Sequence, residues 1–279
     1  MTAQLACEEK TVELNGLRFH YSDWPSKQAG APTLLLLHGY TGHARSWDAF
    51  AEAMTDRYRV VALDQRGHGE TEWAPPDQYL NEHMVSDVRA FVAALGLRDL
   101  ALLGLSMGGR VAIHYAGGRP PELARLVIVD IGPETVAGGA ARIQAGTQAR
   151  DVFDSPEEAF AQQRAANPRP PEEHQRYRVI HNLMQTADGT WTWRYDRALR
   201  DPSNPRPRPT ADEGWAAVRN INVPTLILRG ELSDILARDI AERMATEIPD
   251  ARLIEVEGSG HSIPLDRPDE FAEAVRTFL

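Results

Sequence analysis

Gly104-Leu105-Ser106-Met107-Gly108 restricts what this chain can fold into more than any other stretch, because it joins two patterns that need different backbone geometry. Before it, Leu100, Ala101, Leu102 and Leu103 form an apolar run too short for a helix and suited to a strand buried on both faces. After it, Met107 to Ala116 carries a helical pattern that Gly117 and Gly118 stop. A chain passing from buried strand to helix at one residue needs a strained turn, and glycines two places either side of a serine leave room for it. The expected result is a serine hydroxyl raised at the end of a central strand. A Gly-rich turn that only packs helix on strand, or cradles a phosphate, would use the same residues, so the partners of Ser106 decide between them.

With 279 residues and 42% hydrophobic content the chain can bury a large core, and one domain carrying an insertion is expected. The single cysteine, Cys7, excludes an intrachain disulfide and a cysteine-based metal site, so nothing points to an oxidising compartment. Met1 to Lys10 carries acids and no apolar core of the signal-peptide kind. Gln4-Leu5-Ala6-Cys7 has a faint likeness to a lipoprotein cleavage site but lacks the basic and apolar stretches that precede one. With no apolar run of about 18 residues, no membrane span is expected, and the location expected is cytoplasmic. A net charge of −10 disfavours nucleic acid and anionic membrane surfaces as partners.

Taken in order, Thr11 to Leu14 and Leu17 to Tyr21 read as a hairpin, since Asn15-Gly16 supplies the two positive φ angles of a type I′ turn. Thr33 to Leu37 reads as a central buried strand, followed by His38-Gly39-Tyr40-Thr41-Gly42, a loop able to offer backbone N–H groups to an anion. Arg59 to Leu63 is the next strand, and Asp64-Gln65-Arg66-Gly67-His68-Gly69 reads as a tight loop held by an Asp/Arg pair. Asn81 to Leu95 is an amphipathic helix with Met84, Val88, Phe91, Val92 and Leu95 on its apolar side. Leu126 to Ile131 is a buried strand containing Asp130 and stopped by Gly132-Pro133.

From Pro133 to about Gly214 the texture changes, with 9 of the 19 prolines in this stretch and no regular alternation of strand and helix. It reads as an insertion, 133–214, over a core domain of 1–132 and 215–279. Tyr177, Ile180, His181 and Met184 fall on one helical face, while Trp191, Trp193 and Tyr195 alternate as on a strand. These aromatics are expected to tie the insertion to the main domain, and some to line a pocket. Regular order then resumes with a strand at Thr225 to Leu228, the loop Arg229 to Asp234 and a helix at Arg238 to Ile248. A strand at Arg252 to Val256, the loop Gly258-Ser259-Gly260-His261-Ser262 and a last helix from about Pro268 complete it. The fold class is α/β, a doubly wound and mostly parallel sheet, whose strands deliver their loops to one edge.

That edge gathers Tyr40, Ser106, Asp130, Asp234 and His261. A serine hydroxyl is inert at neutral pH unless a base takes its proton, and histidine is poised to do so. Of nine histidines, His261 is best placed, in a Gly-flanked loop, whereas His114 and His83 lie on helices, His20 on the edge hairpin, and His38 orients its own loop. The order Ser106, Asp234, His261 is that of the α/β-hydrolases.

The sequence resembles the α/β-hydrolase-fold serine hydrolases over essentially its whole length. The residues that carry the resemblance are His38-Gly39, Asp64 to Gly69, Gly104 to Gly108, Gly230 to Asp234 and Gly260-His261. It implies Ser106 as nucleophile, His261 as base, Asp234 as the acid orienting it, and an oxyanion hole from the backbone N–H groups of Tyr40 and Met107. It also implies that 133–214 is a helical cap. Some relatives place the acid after the earlier strand, at Asp130 here. Asp234 is preferred because its loop is free to aim a carboxylate, whereas Asp130 precedes the residues that launch the cap.

Within the family, serine at the elbow argues against the dehalogenases and epoxide hydrolases, which carry aspartate there. The loop Tyr40-Thr41-Gly42 departs from the Ser-Gly-Pro-Gly type of many carbon–carbon hydrolases. The expected activity is hydrolysis of a carboxylic ester or lactone, with a small-molecule substrate and no cofactor or metal, since no H-E-x-x-H, G-x-G-x-x-G or P-loop pattern occurs. Carbon–carbon cleavage of a dicarbonyl compound comes second, followed by a cofactor-free haloperoxidase-like side activity, and a silent ligand receptor is disfavoured by a complete triad.

Overall fold

The computed structural model describes residues 7–204 and 207–279. Met1 to Ala6, and with them most of the lipoprotein-like stretch, lie outside the described residues, as do Pro205 and Arg206 of the expected insertion.

The strands are β1 Glu8–Leu14, β2 Leu17–Trp24, β3 Thr33–Leu37, β4 Arg59–Leu63, β5 Leu100–Leu105, β6 Leu123–Val129, β7 Val152–Phe153, β8 Leu183–Gln185, β9 Trp191–Trp193, β10 Thr225–Gly230 and β11 Ala251–Val256. The helices are α1 Asp48–Met54, α2 Asn81–Ala94, α3 Met107–Gly117, α4 Ala137–Thr147, α5 Pro156–Ala166, α6 Glu172–His181, α7 Ala211–Asn220, α8 Arg238–Glu247, α9 Ile263–Asp266 and α10 Pro268–Phe278.

Eight strands form one sheet in the order β1-β2-β4-β3-β5-β6-β10-β11. The hairpin β1–β2 and the pair β2–β4 are antiparallel, and β4-β3-β5-β6-β10-β11 run parallel. Asn15 and Gly16 take φ of 50° and 79°, the left-handed pair that a two-residue hairpin turn requires. The inner parallel strands are buried on both faces because their aliphatic residues serve two layers, whereas the edge strand β11 alternates, with Ile254 exposed. Leu35, Leu37, Leu102, Ile128 and Ile227 pack under α2, α3, α7 and α8, while Leu34, Leu36, Leu103, Val127 and Leu226 pack under α1 and α10. Register aligns the strand ends: Leu37 pairs Gly104, Leu105 pairs Val129, and Val129 pairs Leu228. The loops after β3, β5, β6, β10 and β11 therefore open on one edge.

The expected insertion holds α4, α5, α6 and a three-stranded sheet β7-β9-β8, so it is not purely helical. Met184, placed by periodicity on a helical face with Tyr177 and His181, sits on β8 instead, because α6 ends at His181. Trp193 stacks edge-on against Phe153 inside this small unit, and Tyr195 forms an isolated β-bridge with His68 of the main domain. Helix α7 starts at Ala211 and packs on α3, so the main layer resumes before Gly214.

The loop Asp64 to Gly69 is tight as expected, but its Asp and Arg do not pair with each other. Arg66 reaches α2 and donates to both carboxylate oxygens of Asp87 at 2.5 and 2.6 Å, both residues being about 2% exposed. Asp87 also accepts from Asn15 Nδ2 at 2.8 Å, which ties the hairpin turn, the loop and α2 at one carboxylate. Removing one partner of a buried ion pair strands the other charge, at a cost of about 3–5 kcal/mol. Asp87→Ala is expected to lower unfolding free energy by that amount in urea titration, whereas Asp56→Ala, at the half-exposed pair with Arg276, is expected to cost under about 1 kcal/mol. Equal losses in the two variants would contradict this assignment.

Candidate active site

Ser106 follows β5 directly and caps the start of α3 with φ 54° and ψ −111°, a backbone conformation costing an L-residue about 1–3 kcal/mol. The flanking glycines make it possible. A Cβ on Gly104 would lie 2.3 Å from the Gly108 carbonyl oxygen, and one on Gly108 would lie 2.5 Å from that of Leu37. Ser106 N–H donates to Val129 O at 3.0 Å, which ties the turn to the neighbouring strand.

His261, in the loop after β11, places Nε2 2.9 Å from Ser106 Oγ. Its Nδ1 lies 2.8 Å from Asp130 Oδ2. The structure thus brings Ser106 and His261 together and corrects the expectation for the acid: Asp130, not Asp234, holds the imidazole. The physical reason is in the strand ends. Strand β6 stops at Val129, two residues before the end of the expected run at Ile131, and Asp130 takes φ 50°, which turns its carboxylate into the sheet edge. There it is fully buried, accepting from Gly230 N–H at 2.9 Å and from Ser233 Oγ at 2.5 Å. Asp234, one residue on, faces outward and accepts both arms of Arg142 from α4 at 2.6 and 2.7 Å. That hydrogen-bonded guanidinium holds the Asp234 carboxyl below its ordinary range. Ser233, which braces Asp130 and accepts from the N–H groups of Ile235 and Leu236, carried no sequence signal.

Tyr40 and Met107, the residues expected at the oxyanion hole, both line the cavity that holds Ser106. Met107 opens α3, so its N–H is among those a helix leaves without an internal acceptor. The Gly39 carbonyl turns into its own loop, accepting from Gly42 N–H at 2.9 Å and meeting His38 Nδ1 at 2.8 Å. Across a planar trans peptide, the Tyr40 N–H is directed to the opposite side. Gly39 lies against the nucleophile, since a Cβ there would sit 3.4 Å from Ser106 Cβ. His38 does orient its loop: its Nε2 accepts from Gln65 N–H at 3.0 Å while Gln65 Nε2 donates back to the His38 carbonyl at 2.7 Å. Burial drives His38 down to about 3 and His43, on the next turn, down to about 4, so both are neutral. Asp64 stays charged beneath them despite its burial, accepting from His20 Nδ1 at 2.7 Å and from the N–H groups of Ala44 at 2.6 Å and Glu70 at 2.9 Å.

The cavity measures about 590 Å³ and runs between the sheet edge and the insertion. Met107, Ile131 and Ile235 come from the main domain, Ile143 and Leu199 from the insertion. Tyr40 joins the two, its hydroxyl donating to the Leu199 carbonyl. Among the described residues no cluster of three His, Cys, Asp or Glu side chains could hold a metal ion, and no helix is long and apolar enough to cross a membrane.

A family model described as "Alpha/beta hydrolase family" matches residues 34–274. The chain is 28% identical over 272 residues to the 3-hydroxybutyrate-oligomer hydrolase of Cupriavidus necator, covering 94% of this chain and 92% of that one. It is 30% identical over 281 residues to the N-formylmaleamate deformylase of Pseudomonas putida, covering 96% and 95%. The crystal structure of an alpha/beta hydrolase from Novosphingobium aromaticivorans superposes with a TM-score of 0.86 at 25% identity, over 98% of this chain and 97% of that one.

The two neutral histidines set an acid limit. Each has a folded pKa below its unfolded value of about 6.5, so the unfolded chain binds protons first as pH falls. Their contribution is intact above about pH 6.5 and is lost as pH falls toward about 4 and then 3, with a slope of up to about 1.4 kcal/mol per pH unit for each. Urea unfolding is expected to show lower stability at pH 5 than at pH 7, and His43→Asn to flatten that difference. A pH-independent midpoint across this range would contradict the assignment.

Proposed function

The chain belongs to the alpha/beta hydrolase family, and from that premise we propose that it is a serine hydrolase of carboxylic esters or lactones, working through an acyl-enzyme on Ser106 with His261 as base and Asp130 as orienting acid. The observation that carries the reading is the unbroken line of hydrogen bonds from Ser106 Oγ through His261 to a fully buried carboxylate. A carboxylate there fixes the tautomer that leaves Nε2 free to accept a proton, and stabilises the imidazolium that follows.

In the first half-reaction Ser106 Oγ attacks the substrate carbonyl carbon and its proton passes to His261 Nε2. The carbonyl oxygen takes up the electron pair and lies between the Tyr40 and Met107 N–H groups, each such donor being worth about 2.7–4 kcal/mol. Collapse breaks the bond to the leaving oxygen, which receives the proton from His261. Water then attacks the acyl-enzyme by the same route, giving the free acid and restoring Ser106. The partner is thus a small molecule, and a cavity of about 590 Å³ suits one. Two relatives named for hydrolysing a 3-hydroxybutyrate oligomer and for removing a formyl group support acyl transfer as the shared chemistry. The loop Tyr40-Thr41-Gly42 favours this over carbon–carbon cleavage.

An organophosphonate probe is expected to label Ser106, and Ser106→Ala to abolish both labelling and turnover. Asp130→Asn is expected to lower turnover by about 10⁴, the cost of the wrong histidine tautomer in a serine protease, while Asp234→Asn has little effect. Chelator is expected to leave turnover unchanged. Labelling that persists in Ser106→Ala, or a crippled Asp234→Asn beside a near-normal Asp130→Asn, would overturn the assignments. On a panel of acyl esters, lactones and a vinylogous 1,5-diketone, a diketone rate more than about a hundredfold above the rest, about 2.7 kcal/mol in kcat/KM, would replace ester hydrolysis by carbon–carbon cleavage.

A further inference from the structure

Arg110 stands four residues after Ser106 on α3, its backbone N–H donating to the Ser106 carbonyl at 2.9 Å. Residues four apart share a helix face, and side chains lean toward the helix start, so Arg110 lies over the turn that carries Ser106. The two line the same cavity. Arginine so placed ordinarily meets a carboxylate, and Arg66 shows this chain doing so with Asp87. No side chain among the described residues forms a hydrogen bond or ion pair with the Arg110 guanidinium. Desolvation, and then the neighbouring charge of Arg208, push it down to about 10, so it remains a cation at neutral pH. Arg208 lines the same cavity, is exposed, and has no acidic partner among the described residues. Arg110, Arg200 and Arg208 thus line the cavity that holds Ser106 against one acid, Asp201, a local reversal of sign in a chain of net charge −10.

From this juxtaposition of an unpartnered guanidinium and an activated serine in one cavity, we infer that the substrate is a short ester carrying a carboxylate, which Arg110 binds while the scissile carbonyl lies at Ser106. The inference rests on the hydrolase reading above and names the substrate class of that site. Four residues of helix raise the Arg110 backbone only about 6 Å above that of Ser106, which keeps the two side chains within the span of one short substrate. Arg110 presents a fork matched to a carboxylate, and the exposed Arg208 on the same cavity lining adds attraction without geometry. Arg110 is therefore a specificity-determining residue. The carboxylate can belong to the acyl or the alcohol part, and the test has an arm for each.

The experiment compares two ester pairs on the whole chain: monophenyl succinate against methyl phenyl succinate by phenol release, and acetoxyacetate against its methyl ester by acetate release. In at least one pair the acid is expected to have a kcat/KM more than tenfold above its neutral ester. Arg110→Gln is expected to lower that acid-to-neutral ratio at least tenfold, with Arg110→Lys recovering part of it. A merely structural role would lower both members together and leave the ratio unchanged. No preference for the acid in either pair, or a ratio unmoved by Arg110→Gln, overturns the inference while ester turnover upholds the hydrolase reading. A second measurement separates the two failures: calorimetric titration of glutarate into Ser106→Ala, with saturable binding expected there and lost when Arg110→Gln is added. If no ester is hydrolysed and the phosphonate leaves Ser106 unlabelled, the hydrolase reading falls. The carboxylate site then stands or falls on the glutarate titration alone.

Discussion

The site depends on one backbone constraint imposed twice. Ser106 and Asp130 each sit one residue beyond a parallel strand, and each takes a φ near +50° that non-glycine residues avoid. The turn at Ser106 is held by the pairing Ser106 N–H to Val129 O, and that at Asp130 by Asp130 N–H to Leu228 O. Strain of about 1–3 kcal/mol at each position persists because the adjacent strands, buried on both faces, fix the residues before it. Had either strand ended in an ordinary extended residue, its side chain would point to one face of the sheet and away from His261.

Burial then sorts the charges. Asp130 keeps no exposure, yet its oxygens are met by Gly230 N–H, Ser233 Oγ and His261 Nδ1, so its buried acceptors have partners. Asp64, under the neighbouring loop, follows the same rule with His20, Ala44 and Glu70, and it fixes the turn where His38 and His43 stay neutral. His20 is the counterpart: burial opposes its charge, but hydrogen bonds to Asp64 and Glu9 outweigh that and push it up to about 10. Arg110 departs from the pattern, a partly desolvated cation with no acidic partner among the described residues.

Most of the main domain was legible because its signals are local. Aliphatic runs gave the parallel strands, Asn15-Gly16 gave the hairpin, and the glycines about Ser106 gave the elbow. His261 was legible because its loop follows a strand and is flanked by Gly260. The acid was not, because Asp130 and Asp234 both follow strands, and the choice turns on where β6 stops and on φ at one residue. A run from Leu126 to Ile131 hides that stop, since Ile131 is apolar for a different reason: it lines the cavity. The pairing of Arg66 with Asp87 instead of Asp64 was equally hidden, as it joins a loop to a helix through side chains 21 residues apart. The insertion was the least legible part, with three strands of two or three residues that carry too little period to read.

Asp234 is well placed for something other than the imidazole. The segment after β10 presents two faces within three residues. Ser233 points inward, donating to Asp130 while the N–H groups of Ile235 and Leu236 hold its oxygen. Asp234 points outward to Arg142, and the Ile235 carbonyl accepts from Val136 N–H at 3.0 Å, both partners lying in the insertion. Gly139 of α4 packs so closely that a Cβ there would lie 1.9 Å from the Asp234 carbonyl oxygen. The loop that braces the acid is thus also the seat on which α4 rests. A carboxylate at 234 meets Arg142 on that seat, and as the pair is half-exposed it adds little stability, so the close backbone approach of Gly139 is the tighter constraint there. Because Ile143 of α4 and Ile235 both line the cavity with Ser106, the inner face of this loop braces the acid while its outer face borders the wall of the same cavity.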